Sequence, residues 1–205
     1  MSLNHAQTEA VAHNEGPCMV LAGPGSGKTL TIAKRIEYLI MKHKVRPEEI
    51  LVITFTKYAA WEMKNRTRSI CGPSSYAVTF GTFHGIYYGI LKWAYRLNQS
   101  NLLSDEEKYR ILREILPGID WDQEPEADEE KDYLQELAIE IGNVKNNCMD
   151  IEEYEPVKYT TEKFRKLYRT YEETKKKYRK IDFEDMLIQC RDLFMKRPDI
   201  LKKWQ

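Results

Sequence analysis

Residues 22–29, Ala-Gly-Pro-Gly-Ser-Gly-Lys-Thr, follow the apolar stretch Met19-Val20-Leu21 and gather three glycines, a lysine and a threonine in one short turn. A polyphosphate presents several negative charges, and backbone N–H groups reach it only where side chains stand clear; Gly23, Gly25 and Gly27 suit that task. Lys28 supplies a cation for the terminal phosphates, and the Thr29 hydroxyl suits a Mg²⁺ ion bridging them. The spacing is that of a loop that cradles a nucleoside triphosphate. Ala22 stands where the strict pattern has glycine, a small residue for a smaller one. A glycine-rich turn with no ligand is the alternative, and the sequence on either side of the loop argues against it.

A phosphate cradle has to leave a strand and open a helix, because the first N–H groups of a helix are unpaired and its dipole favours an anion. Residues 18–22 read as that strand and 28–43 as that helix, with Ile32, Ala33, Ile36, Leu39 and Ile40 on one face. Strands are also expected at 50–55 and 76–80, and helices near 4–14, 58–70 and 83–97. The alternation predicts an α/β fold in which helices cover a parallel sheet. After Leu97 the strand signal ends, and helical segments follow near 104–115, 129–147, 160–180 and 183–195, with breaks at Asn146-Asn147 and Glu155-Pro156. A change from α/β to all-helical sequence without a flexible linker predicts a helical subdomain inserted into the sheet domain.

With 205 residues, 42% of them hydrophobic, the chain can bury a core large enough for one domain carrying an inserted subdomain. No apolar run approaches the ~20 residues of a membrane span, and the N-terminus lacks a signal-peptide core, so the expected location is the cytoplasm. Cys18, Cys71, Cys148 and Cys190 lie far apart without a Cys-x-x-Cys pair, which points to packed thiols and away from zinc or a disulfide framework. The formal net charge is zero, which argues against a protein basic all over, yet the charges are segregated. Residues 104–140 hold 14 acids against four bases; the densest part, from Asp122 to Asp132, reads with Pro117-Gly118 and Pro125 as a solvated loop. Residues 158–180 hold ten bases against three acids, so they form either a solvated helix face or a surface for a phosphate backbone.

The segments flanking the loop carry a family resemblance. Leu3-Asn4-His5-Ala6-Gln7-Thr8-Glu9-Ala10-Val11 resembles the Q motif of UvrD/PcrA/Rep-type superfamily 1 DNA helicases. The run from Ile53 to Lys64, Ile-Thr-Phe-Thr-Lys-Tyr-Ala-Ala-Trp-Glu-Met-Lys, resembles their motif Ia, and Thr79-Phe80-Gly81-Thr82-Phe83-His84 their motif Ib. Ile181-Asp182-Phe183-Glu184-Asp185-Met186-Leu187 is similar to the segment that follows their helical 1B subdomain. Order and spacing agree across essentially the whole chain. The resemblance implies a P-loop NTPase (RecA-like) parallel sheet with an inserted, mostly helical subdomain: residues 1–86 as the first part of motor domain 1A, 87–180 as the 1B-like subdomain, and 181–205 as the return to 1A.

By resemblance, ATP would be held by Gln7, Ala22, Gly23, Pro24, Gly25, Ser26, Gly27, Lys28, Thr29 and the next position, Leu30, with Lys28 and Thr29 catalytic and Thr29 holding Mg²⁺. DNA, single-stranded or partly duplex, would be held by Thr54, Phe55, Thr56, Lys57, Thr82, Phe83 and His84. Movement would be 3′ to 5′, with a second motor domain as partner and no membrane. The Gln7 amide can donate to and accept from an adenine edge; an ordinary exposed glutamine is the alternative. Phe55 would lie beneath a base or pack in the core. The family pattern usually has Asn where Lys57 stands, a different residue at Tyr58, and Ser where Gly85 stands. Tyr87, Tyr88, Trp93 and Tyr95, at helical spacing, are expected mostly as core. Asp182, Glu184 and Asp185 are expected as the acidic first turn of a helix and not as a metal site.

Hydrolysis in this family also needs an Asp-Glu pair after an apolar strand and arginines from the second motor domain. The acidic pairs here, such as Asp105-Glu106 and Asp128-Glu129, lie in polar segments. The chain therefore reads as the N-terminal piece of a helicase, expected to bind ATP weakly and to turn it over negligibly on its own. A helicase–nuclease subunit of recombinational repair, a nucleic-acid-binding module without motor activity and a small-molecule kinase are the alternatives.

Overall fold

The computed structural model describes residues 3–119 and 129–204. Most of the acidic run expected as a solvated loop, Asp122 to Asp128, lies outside the described residues. The chain divides into two compact units, Met1–Ile86 and Tyr87–Gln205.

The first unit is built on α1 (His5–Ala12), α2 (Lys28–Met41), β1 (Leu51–Thr54), α3 (Lys57–Cys71) and β2 (Thr79–Thr82), and it contains the start of α4 (Phe83–Tyr95). The strands pair in parallel with Thr54 opposite Thr82, and α3 makes the crossover between them. Asn4 starts α1 through a reciprocal cap: its side chain accepts from the Gln7 N–H at 2.9 Å while Gln7 Oε1 accepts from the Asn4 N–H at 2.9 Å. Thr56 starts α3 with a one-way cap, its Oγ1 accepting from the Ala59 N–H at 3.0 Å. Ile36 of α2 meets Ile50 and Val78 in the core, with Leu39, Ile40, Val52 and Phe80 packed around them. The Arg35 guanidinium donates to the carbonyls of Ala10, Val11 and His13, fastening the end of α1 to α2.

Residues 18–22 are not a strand. Met19 and Leu21 are 83% and 86% exposed, and among the described residues β1 and β2 pair only with each other. An apolar run becomes a strand only when its N–H and C=O groups find a neighbour, and here none is present.

The second unit is helical: α5 (Asp105–Ile115), α6 (Glu130–Asn146), α7 (Thr161–Lys177), α8 (Phe183–Lys196) and α9 (Pro198–Trp204), the last not expected from the sequence. Its core takes Ile111, Leu112 and Ile115 from α5, Leu134, Leu137, Ile141 and Val144 from α6, and Phe164, Leu167 and Tyr171 from α7. Ser104 and Glu107 form a capping box at the head of α5. The Leu103 N–H donates to the Ile181 carbonyl and the Ile181 N–H to the Asn101 carbonyl, each at 2.8 Å, so the entry to α5 lies beside the entry to α8. On α4 the buried residues are Ile90 and Leu91, and Trp93 and Tyr95, expected as core, are exposed because they lie off that stripe. The Lys203 ammonium sits 5.1 Å from the centre of the Trp93 ring.

The segregated charges meet within this unit. Lys158 pairs with Glu136 and Lys180 with Glu107, each at 2.6 Å. Lys175 does not lie on a solvated face: with Lys145 it is buried against Glu172, Asp182 and Asp185. Asp182 caps α8, as an acidic first turn should, and Asp185 completes the capping box. The three carboxylates come within 4.8 Å of one another, and the two ammonium groups bonded to them serve as their counter-ions.

Candidate nucleotide and nucleic-acid sites

The glycine-rich loop holds its turn by bonds to a single carbonyl. Ser26 Oγ donates to the Gly23 carbonyl at 2.8 Å, and Lys28 Nζ donates to it at 2.9 Å. Gly25 and Gly27 adopt φ of +73° and +79°, the left-handed region that glycine enters at low cost. Gly27 is the N-cap of α2 and brings no side-chain cap, so the first N–H groups of the helix are left for another acceptor. Lys28 is exposed and Thr29 half-buried. Leu30 offers no hydroxyl; the next one, on Thr31, donates to the Gly27 carbonyl at 3.1 Å.

Gln7 is joined to this loop, its Nε2 donating to the Ser26 carbonyl at 2.9 Å, while its Oε1 serves the cap of α1. Both halves of the amide therefore have partners inside the unit. A cavity of about 370 Å³ opens beside them, lined by Asn4, Gln7, Gly23, Ser26, Lys28 and Arg35 together with apolar Val20, Leu21 and Ile32. Arg35 and Thr31 join this neighbourhood without any sequence signal, since only the fold of α1 against α2 brings them there.

A Cβ on Gly23 or Gly25 would meet nothing within 4 Å, but on Gly27 it would lie 2.9 Å from Gln7 Nε2. Gly27→Ala is therefore expected to cost about 1–3 kcal/mol through its left-handed backbone and to push Gln7 off Ser26. Hydrogen exchange reads this as faster exchange of the α1 and first-turn α2 amides; unchanged protection would contradict it.

A second group gathers where β1 and β2 end in register. Phe55 is 93% exposed, which removes it from the core, and its ring lies 6.1 Å from that of Phe83. Thr54 Oγ1 donates to the Thr56 carbonyl at 2.9 Å, and Thr82 Oγ1 accepts from the Gly85 N–H at 3.1 Å. Thr56 and Thr82 thus use an oxygen lone pair to start their helices, and an O–H donor remains on each for a ligand oxygen. Lys57 is exposed at the first position of α3, and His84 is half-buried at the start of α4. Among the described residues no helix is long and apolar enough to cross a membrane.

Residues 3–205 match the UvrD/REP helicase N-terminal domain. The chain belongs to the UvrD/REP helicase family. This places it among the P-loop NTPases, in keeping with an α/β fold that is mostly helical and carries a small parallel sheet. Among its UvrD/REP relatives, a putative ATP-dependent DNA helicase, YjcD of Bacillus subtilis (strain 168), is 35% identical over 216 residues, covering 100% of this chain and 27% of its own length. The ATP-dependent DNA helicase PcrA of the same organism is 32% identical, covering 99% of this chain and 28% of its own length. DNA helicase II of Escherichia coli (strain K12) is 30% identical, with coverages of 100% and 28%. The chain thus spans just over a quarter of the length of the curated relatives it matches.

Proposed function

We propose that this chain is the ATP- and single-stranded-DNA-binding N-terminal portion of an ATP-dependent DNA helicase or translocase that moves 3′ to 5′. The observation that carries this is the loop from Gly23 to Thr29, which opens α2 with exposed Lys28 and uncapped helix N–H groups in a chain of the UvrD/REP family. The cradle fits phosphate chemistry: nothing would meet a side chain at Gly23 or Gly25, so the space over their backbone is open. ATP would be held by the backbone of Ala22 to Leu30, with Lys28 on the terminal phosphates and Gln7 toward the base. Thr29 would hold Mg²⁺, which supplies charge neutralisation on the phosphates. Thr54, Phe55, Thr56, Lys57, Thr82, Phe83 and His84 would form part of the DNA track, with Phe55 beneath a base.

In this assignment residues 1–86 begin motor domain 1A on a RecA-like sheet, 87–180 form an inserted 1B-like helical subdomain, and 181–205 return to 1A. The catalytic acidic pair and the second motor domain come from outside these 205 residues, and the location assigned is the cytoplasm. The test uses the 205-residue chain and a fluorescent oligonucleotide. Weak ATP binding preferred over GTP, negligible turnover, and DNA affinity whose logarithm falls linearly with the logarithm of salt are expected. Robust DNA-stimulated hydrolysis by this chain, or no binding of single-stranded DNA at any salt, would overturn the assignment.

A further inference from the structure

The outer face of α3 carries two large aromatic side chains that no described residue covers. Tyr58 is 72% exposed and Trp61 60%, and their rings lie 5.9 Å apart at 33°. The helix anchors itself through its other side, where Ala60, Met63 and Thr67 are buried, so the aromatic pair adds nothing to the core. Single exposed aromatics are common on proteins, but a mutually packed pair left in water is a candidate contact surface.

The surrounding charge selects the partner. Lys57, Trp61 and Lys64 stand at i, i+4 and i+7, on one face of the helix. Across α3 four bases, Lys57, Lys64, Arg66 and Arg68, face one acid, Glu62, in a chain whose formal net charge is zero. Flat rings flanked by cations suit a polyanion that carries flat rings of its own. The run also continues from Phe55, which precedes the Thr56 cap of α3, and Tyr58 stands where the family pattern has a different residue.

We infer that Tyr58 and Trp61 form a second base-stacking platform for single-stranded nucleic acid, beyond Phe55, with Lys57 and Lys64 on the adjoining phosphates. This extends the DNA-binding role proposed above and rests on it. Stacking tolerates any base, so the platform adds affinity without reading sequence.

The test compares the wild-type chain with Y58A/W61A, W61F and F55A on two fluorescent 12-mers, oligo(dT) and an abasic phosphodeoxyribose strand. Y58A/W61A is expected to bind oligo(dT) about 10-fold or more weakly, to bind the abasic strand as wild type does, and to keep the same salt slope. W61F, which retains a ring, keeps most of the affinity. As an independent readout, oligo(dT) quenches tryptophan emission in wild type, and W61F loses that component. Unchanged oligo(dT) affinity in Y58A/W61A alongside a weakened F55A overturns the platform while leaving the DNA role standing. Equal losses on both strands also overturn it, since stacking cannot act on a strand without bases. Faster sedimentation of wild type that Y58A/W61A abolishes, with DNA affinity unchanged, assigns the pair to self-association instead. A wild-type chain that binds neither strand sinks the DNA role and the platform together.

Discussion

Lys145→Met is expected to destabilise the second unit by about 3–5 kcal/mol, the typical result of removing one partner from a buried ion cluster. Lys145 Nζ lies 2.5 Å from Glu172, 2.7 Å from Asp182 and 2.9 Å from Asp185, and its side chain is almost wholly buried. Methionine keeps most of the aliphatic stem, so little packing is lost; the change leaves three carboxylates facing Lys175 alone, two more negative charges than positive. The two ammonium groups also lie 5.5 and 5.2 Å from the centre of the Tyr171 ring, whose hydroxyl donates to Asp182 at 3.2 Å, so the defect reaches the aromatic centre of the core. Because the chain has two units, the measurement has to be local: urea-dependent hydrogen exchange of the 130–146 and 161–177 helices, with amides of the first unit as control. Adding Asp185→Asn to Lys145→Met should restore part of the loss, because it removes one surplus charge. Full protection in Lys145→Met would show the cluster to be energetically idle.

The same cluster fixes a pH dependence. For Asp182 burial works to raise the pKa, but the Lys175 and Lys145 charges override it and hold the carboxyl well below its ordinary range. A depressed carboxylate contributes stability that is complete above its unfolded pKa of about 4 and is lost as pH falls toward the folded value. For Lys145 burial works to lower the pKa, and Asp182, Asp185 and Glu172 override it and hold the ammonium above its usual range. That contribution is complete below about pH 10.4 and is lost as pH rises through the folded value. Asp185 moves the other way: burial comes first and outweighs Lys175, pushing its pKa up, so its protonation as pH falls favours the native state. Protection of α6 and α7 should therefore hold from about pH 9 down to about pH 4 and fall below that.

What the sequence disclosed depended on how far apart the interacting residues lie. The helices expected near 4–14, 104–115 and 183–195 start close to where the structure starts them, and their caps at Asn4, Ser104 and Asp182 each join residues three apart and need nothing else. The glycine loop was legible for the same reason, its chemistry being written in consecutive residues. Residues 18–22 misled because an apolar run says nothing about whether a neighbouring strand is present. Lys175 was missed because a lysine in a basic stretch reads as solvated, and Lys145 because its carboxylate partners lie 27–40 residues away. The available signal was positional: Phe164, Leu167, Tyr171 and Lys175 follow one stripe of α7, and a lysine that continues an apolar stripe has to meet a buried carboxylate. Arg35 gave no such sign, since its carbonyl partners lie 22–25 residues away and are backbone atoms.

Lys28→Ala is expected to weaken ATP binding by roughly 10- to 150-fold, corresponding to the ~1.5–3 kcal/mol of hydrogen bonds made by a charged donor. Before ligand arrives, the ammonium is bonded at 2.9 Å to the Gly23 carbonyl at an exposed site. That bond competes with water and contributes little to the fold, so its loss should leave the unfolding midpoint of the first unit within ~0.5 kcal/mol of wild type. A phosphate oxygen is a far stronger acceptor than a peptide carbonyl, so the same ammonium gains much more when it moves to a ligand. The two readouts therefore separate: hydrogen exchange of α1 and α2 stays unchanged while titration with ATP shows the loss. Lys28→Arg should rescue only in part, because a planar fork cannot take the place of a compact cation on a crowded phosphate. Equal ATP affinity in wild type and Lys28→Ala would mean that the glycine loop is folded as a phosphate cradle but is not used as one.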